Sequence, residues 1–284
     1  ITKKTPKPLI KIKGITIIEY IIKYLSRFGI KEILLLCGYK GSQFKKKFHN
    51  KSKYGIKIRC IIEKNPLGTS GALLNAKNNV DKFFLYCNGD TFFNINISDL
   101  IKQFSENHCL GTVALKKMKK NSRYDSFKLN SKKLIIFNVK NKTKNINSGI
   151  CIFSKKIFPF LLPKGSLEKD IFPILIKKKQ LFGKVYKEQF IDMGLKTDLR
   201  KLPKFLKKFF NKPALFLDRD GVINKDIGYL HQIRKVIWRK NIFNFIKKFN
   251  EKNFYVFIIS NQSGIGRGLY KEKDVENLHA WMLK

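Results

Sequence analysis

Four carboxylates stand where a carboxylate can meet a ligand. Asp90 closes the run Phe83-Phe84-Leu85-Tyr86-Cys87-Asn88-Gly89, Asp192 closes Phe190-Ile191, and Asp218 and Asp220 follow Ala214-Leu215-Phe216-Leu217 two residues apart. The runs are apolar, too short for helices and rich in aromatic or branched residues, so each reads as a strand that ends on its acid. In open α/β sheets the crevice outside the strand tips is where ligands sit. Asn88-Gly89-Asp90 is equally ordinary turn chemistry. Lys7, between Pro6 and Pro8, is held in a stiff non-helical loop, as a plain surface lysine could also be. Asn65-Pro66-Leu67-Gly68-Thr69-Ser70-Gly71 runs into a helix; its glycines admit a ligand to the backbone, and the helix start offers N–H groups to an anion or a base edge. An ordinary strand-to-helix turn has the same composition.

These residues need elements to hold them. Ile17, Ile18, Ile21, Ile22, Leu25 and Phe28 recur at helical spacing and Gly29 stops them. Strands are expected over 33–37, 56–62, 83–87, 110–116, 134–139, 150–153 and 185–186, with short helices over 42–48 and 98–104, an amphipathic helix opened by Ser166 and running through Leu175, and a basic helix over 197–210. The alternation is that of a parallel sheet covered by helices. Asn211-Lys212-Pro213 stops the last helix, which places a domain boundary there. Beyond it, strands over 214–217 and 254–259 deliver Asp218-Arg219-Asp220-Gly221 and Ser260-Asn261-Gln262-Ser263-Gly264-Ile265-Gly266-Arg267-Gly268, and a helix over 273–283 follows.

Length and composition bound the function. A chain of 284 residues with 43% hydrophobic residues is expected to form two packed domains. The net charge of +40 raises the prospect of a nucleic-acid partner. Against it, the lysines are spread over nearly every element instead of forming one stripe, and strand-tip acids repel a phosphate backbone. Five scattered cysteines lack paired zinc spacing and read as reduced, buried thiols of a cytoplasmic protein. Charges interrupt every apolar stretch before it reaches membrane-spanning length, so no membrane partner is expected.

In order along residues 1–210, Thr5-Pro6-Lys7-Pro8, Pro66-Leu67-Gly68-Thr69-Ser70-Gly71, Asn88-Gly89-Asp90, Asn147-Ser148-Gly149 and Phe190-Ile191-Asp192-Met193-Gly194 resemble the motifs of sugar-1-phosphate nucleotidyltransferases. The resemblance implies a Rossmann-like, GT-A-like α/β domain over 1–211, in which a sugar 1-phosphate oxygen attacks the α-phosphorus of a nucleoside triphosphate. It implies Mg²⁺ on Asp90 and Asp192, a phosphate contact from Lys7, a nucleotide base against Gly68 and Gly71 beside Asn88, the sugar phosphate on Lys140 and the sugar on Asn147. The family often has Glu before that lysine, where this chain has Val139. Glu168 is a further sugar contact or a helix-dipole carboxylate. The family's glycine-rich triphosphate loop has no counterpart after Ile1.

Residues 212–284 resemble the start of a Rossmannoid haloacid dehalogenase-like phosphatase. The resemblance makes Asp218 the nucleophile that forms an aspartyl phosphate, Asp220 the acid and base, both of them metal ligands, and Ser260 with Asn261 the phosphoryl clamp. A loop after a strand suits this division, since one carboxylate faces phosphorus while the next protonates the leaving oxygen. Gly228-Tyr229-Leu230-His231 and Arg267 bring it nearest to heptose 1,7-bisphosphate 7-phosphatases, with histidinol phosphatases close by, while the first part looks like heptose 1-phosphate guanylyltransferases. A bifunctional heptose enzyme using GTP and Mg²⁺ is the expectation. Other sugars or nucleotides, and a basic nucleic-acid-binding protein, are the alternatives. The superfamily's later lysine and acidic motifs do not appear among the 284 residues, so the chain by itself is expected to be inactive in both reactions.

Overall fold

The computed structural model describes residues 5–118, 125–140, 144–193, 196–252 and 254–283, with only the backbone of 125, 137–140, 196 and 197. The chain divides into two compact units, Ile1–Lys204 and Phe205–Lys284, a division that falls within the helix Lys196–Phe210.

In the first unit, the helix Ile17–Leu25 is buried along nearly its whole length. Its start is fixed by a reciprocal cap, in which the Thr16 backbone N–H donates to Glu19 Oε2 at 3.0 Å and Gly29 ends the following turn with a positive φ of 69°. Strand Glu32–Cys37 pairs in parallel with Ile56–Ile62, whose other edge carries Lys51–Lys53. A second sheet has six strands in the order Ile135–Lys140, Asp125–Leu129, Asn145–Ser154, Gly111–Lys117, Leu181–Tyr186, with Phe83–Cys87 also on Asn145–Ser154. Here the parallel expectation fails in part. Gly111–Lys117 and Leu181–Tyr186 run parallel, but Phe83–Cys87 pairs antiparallel with Asn145–Ser154 and is half-buried instead of enclosed. An apolar run reports burial and length and says nothing about the direction of its partner.

Asn145–Ser154 also starts five residues earlier than its continuous apolar run indicates. The segment Asn145-Ile146-Asn147, with Ile146 fully buried between two asparagines, is paired with Leu115–Lys117, and the register slips between Asn147 and Cys151. Asn147-Ser148-Gly149 is thus a bulge inside a strand. Behind this sheet Phe127, Phe153 and Phe172 are fully buried and in ring contact, each contributing roughly 1.5–3 kcal/mol by burial. The Ser166 helix opens with a π-helical turn, Leu167–Ile171, and continues directly as the α-helix Phe172–Lys177, with Pro173 just past the junction, where it leaves one carbonyl of the preceding turn without its N–H.

In the second unit, Ala214–Asp218 and Tyr255–Ile259 form a parallel pair with Asp218 opposite Ile259. Between them lies the helix Ile242–Glu251, which the sequence reading did not anticipate; Ile242 packs with Leu217 and Ile223. The helix Glu272–Met282 contributes Met282 to the same core. The opposite sheet face presents Phe216 stacked on Phe257. All five cysteines are free. Among the described residues no helix is long and apolar enough to cross a membrane.

Candidate active sites

The first site is assembled by a three-residue strand pair. Thr91–Phe93 runs antiparallel to Phe190–Asp192, which places Thr91 opposite Asp192, and the Met193 N–H donates to the Asp90 carbonyl at 2.9 Å. Two carboxylates 102 residues apart in sequence are thereby brought together. Burial raises the Asp90 carboxyl above its ordinary range, the Asp192 charge raises it further, and Lys7 offsets part of the rise. Lys7 is delivered by its prolines, although the segment is a single 3₁₀ turn and not the non-helical loop expected. The Leu9 N–H donates to the Pro6 carbonyl at 2.9 Å, and Pro8 lies against Gly89. Thr91 adds a buried hydroxyl with no hydrogen-bond partner among the described residues. Two carboxylates and a spare hydroxyl are a donor set that suits Mg²⁺, which takes one or two carboxylates and fills its octahedron with water and substrate phosphates. Among the described residues no group of three or more His, Cys, Asp or Glu could hold a metal.

Around this pair the other motifs interlock. The Asn88 N–H donates to the Gly149 carbonyl at 2.9 Å, and Gly149, at φ 74°, leaves room for the Asn88 amide, which a Cβ there would meet at 2.4 Å. Asn147 Oδ1 accepts from the Gly149 N–H at 2.9 Å, and the Ser148 hydroxyl donates to the Ala114 carbonyl at 2.7 Å. The bulge thus holds Asn88 and Asn147 at one place. Gly68 and Gly71 serve a contact of their own. Their missing Cβ atoms leave space for the carbonyls of Gly165 and Pro163, which a Cβ would approach to 2.2 and 2.1 Å. The loop around Gly68 and that around Gly165 are stitched together: the Ser70 N–H donates to the Gly165 carbonyl, the Gly165 N–H to the Leu67 carbonyl, and the Leu167 N–H to Thr69 Oγ1. Thr69 and Ser166 hydroxyls both donate to Glu168 Oε2, at 3.2 and 3.0 Å. Thr69 and Ser70 were not assigned any role from sequence, because a hydroxyl bonded to residues more than 90 positions away leaves no local signal. Lys140 ends the strand Ile135–Lys140, and its side chain lies outside the described residues.

The second site sits on the parallel pair. Asp218 is exposed at the tip of its strand, with its Oδ1 accepting from the Arg219 N–H at 2.7 Å. Asp220 is gripped. Its carboxylate accepts from Arg219 Nε and Nη2, from Asn224 Nδ2 at 2.9 Å and from Gln262 Nε2 at 3.3 Å. Burial alone pushes Asp220 up, but these donors and the guanidinium charge carry it below the ordinary carboxylate range. Gln262 also donates to Ser260 Oγ at 2.5 Å and accepts from Tyr270 Oη at 2.9 Å, tying the two motifs together. Asn261 is exposed beside them, and Arg267 reaches sideways to Tyr229 Oη at 3.0 Å. Gln262, Asn224 and Arg219 carry much of this arrangement without having been singled out from sequence. A basic residue between two acids on one short loop was the available signal for Arg219.

The α/β fold of the first unit is that of a nucleotidyl transferase, and the model of that family matches residues 1–209, so the chain belongs to the nucleotidyl transferase family. Among its relatives is the D-glycero-alpha-D-manno-heptose 1-phosphate guanylyltransferase of Aneurinibacillus thermoaerophilus, 32% identical over 214 residues, or 74% of this chain and 93% of that one. The crystal structure of HddC from Yersinia pseudotuberculosis complexed with GMP-PN superposes with a TM-score of 0.63 at 28% identity, over 72% of this chain and 91% of that one. A separate match covers 72 residues, 25% of this chain, at 49% identity to the D-glycero-beta-D-manno-heptose-1,7-bisphosphate 7-phosphatase of Rhodopseudomonas palustris, and it spans 40% of that enzyme's length.

Proposed function

We propose that the first unit is a heptose 1-phosphate guanylyltransferase, with GTP and Mg²⁺, and that the second is a haloacid dehalogenase-type phosphatase for the 7-phosphate of the corresponding bisphosphate. The observation that carries the first reading is the Asp90–Asp192 pair beside Lys7 in a chain 32% identical to a heptose guanylyltransferase. Asp90 and Asp192 hold the cation, which when bound neutralises charge on the reacting phosphates. Lys7 binds phosphate oxygens, Lys140 the sugar phosphate, and Asn147 and Glu168 the sugar, while Gly68, Gly71 and Asn88 frame the base. A phosphate oxygen of the sugar forms the new bond to the α-phosphorus and the bond to pyrophosphate breaks.

In the second unit Asp218 attacks phosphorus and the phosphate–sugar bond breaks. Asp220, ionised in the free protein, takes up a proton with the entering phosphate monoester, gives it to the leaving oxygen and recovers one from the water that hydrolyses the aspartyl phosphate. Ser260 and Asn261 hold the phosphoryl oxygens, and Arg267 with Tyr229 holds the retained part of the sugar. Nucleotidyl transfer never touches the C1–O bond, so the anomer accepted by the transferase must be the one the phosphatase releases. The guanylyltransferase relative is named for the alpha sugar and the phosphatase relative for the beta. A joint pathway therefore requires that this second unit take the alpha bisphosphate.

Ligand-detected NMR tests both readings without requiring turnover. With Mg²⁺, saturation transfer should be strongest for GTP among ATP, GTP, UTP and dTTP, and for alpha-heptose 1-phosphate over its beta anomer, mannose 1-phosphate and glucose 1-phosphate. Equal or stronger transfer to another nucleotide or sugar rejects the guanylyl–heptose assignment. Beryllofluoride, a mimic of the phosphoryl group on a carboxylate, should bind with Mg²⁺ and be lost in Asp218→Asn; binding that survives this change rejects Asp218 as the nucleophile.

A further inference from the structure

The proposed phosphatase chemistry assigns tasks to Asp218 and Asp220 and none to the residue between them or to the closing helix. Yet Arg219 is fully buried, the largest side chain among the described residues to be so. Its Nε donates to both Asp220 oxygens at 3.1 Å, its Nη2 to Asp220 Oδ2 at 2.6 Å and to the Leu230 carbonyl at 2.9 Å, and its Nη1 faces His279 Nε2 at 3.1 Å. A guanidinium has donors and no acceptor, so His279 Nε2 must present its lone pair and the ring must be neutral with its proton on Nδ1. Burial, and then the Arg219 charge, keep His279 below its ordinary pKa against the opposite pull of Asp220, in keeping with that neutral form.

One side chain therefore joins three segments: the aspartate loop, the turn ending at Leu230, and the helix Glu272–Met282. We propose that Arg219 and His279 are a positioning pair for Asp220, the histidine fixing the guanidinium and the guanidinium fixing the plane of the carboxylate. This rests on the phosphatase reading. Asn224 and Gln262 also donate to Asp220, but each gives it one hydrogen bond, whereas the planar fork of an arginine engages both oxygens at a set angle. By holding the Leu230 carbonyl the same fork places Tyr229 and His231, on either side of it, at a fixed distance from the reacting carboxylates. Lysine at 219 keeps the charge and loses the fork.

The test uses the whole chain and two readouts. In ¹⁵N-labelled protein the Arg219 Nε–H should exchange slowly and His279 should show the Nδ1–H tautomer. His279→Leu should speed Arg219 exchange and weaken Mg²⁺-dependent beryllofluoride binding, each by about tenfold, the size of one lost hydrogen bond to a charged group. His279→Gln, whose amide oxygen can accept in place of Nε2, should restore both, and Arg219→Lys should weaken binding as His279→Leu does; comparison is made at matched thermal stability. Native chain that binds beryllofluoride while His279→Leu changes neither readout overturns the pair alone. Native chain with a protected Arg219 that binds no beryllofluoride overturns the phosphatase reading, and the positioning role with it.

Discussion

Asp90 and Asp220 both follow the end of a strand, and their surroundings push them in opposite directions. Asp90 shares a buried corner with Asp192 and is lifted above the ordinary carboxylate range, with Lys7 offsetting only part of the rise. Asp220 meets a buried guanidinium and two amides and is drawn below it. At the first site a second carboxylate and burial act against the Asp90 charge. The second carries its own countercharge and is organised before any ligand arrives.

The sharpest way to break this contrast is Arg219→Leu. Arg219 is fully buried but the Asp220 carboxylate is 23% exposed and keeps Asn224 and Gln262, so the loss should be about 1.5–3 kcal/mol, the size of a hydrogen bond to a charged group, and urea unfolding followed through Trp238 and Trp281 should move to lower denaturant; an unchanged midpoint means that Asp220 does not depend on its arginine. Asp90→Asn should do the reverse: unfolding of the first unit, which holds neither tryptophan and is followed by far-ultraviolet circular dichroism, should be unchanged or moved to higher urea because a repulsion is removed, while Mg²⁺ affinity by calorimetry falls by roughly a hundredfold. A large loss of stability in Asp90→Asn would show that its charge is compensated within the protein.

Gly71→Ala probes the first site's scaffold. Alanine in a helix ordinarily stabilises by about 0.5–1 kcal/mol over glycine, but here the added methyl would meet the Pro163 carbonyl at 2.1 Å, and overpacking against backbone costs about 1–3 kcal/mol. Thermal denaturation decides the sign, and a stabilised variant would show that the 163–165 segment yields. The smallest effect concerns Glu19. Burial alone would raise it, but the Thr16 hydroxyl and N–H, Lys47 and Lys53 carry it down to about 2. A depressed carboxyl contributes stability above its unfolded value of 4.5, and the contribution is lost as pH falls towards 2. With the two lysines partly exposed, the loss should be about 1 kcal/mol. Glu19→Gln should flatten this part of the stability profile; an identical slope in both proteins would discard the assignment.

What the sequence displays is what is local. The apolar runs before Asp90, Asp192 and Asp218, the stop at Gly29 and the Thr16–Glu19 cap are each written within a few residues. Partners distant in sequence are not. The antiparallel return of Asn145–Ser154 onto Phe83–Cys87 and the Thr69–Glu168 contact depend on chain that no local pattern records. Ile242–Glu251 was legible and overlooked: Ile242, Phe245, Ile246 and Phe249 recur at helical spacing, and Ile242 and Ile246 are the residues that pack into the core with Leu217 and Ile223. The register slip at Asn147, by contrast, turns residues with loop composition into a strand.

The stitched loops at Gly68 and Gly165 set a limit on how this scaffold can be re-engineered or can diverge. Because each loop supplies backbone donors and acceptors to the other and each glycine fits a carbonyl across the seam, neither is a portable cassette. A graft of residues 162–168 from a relative that accepts another sugar would have to bring the matching 67–71 with it. Substitutions in the two stretches are accordingly expected to be strongly epistatic, with single-loop chimaeras losing order in both loops and paired chimaeras retaining it.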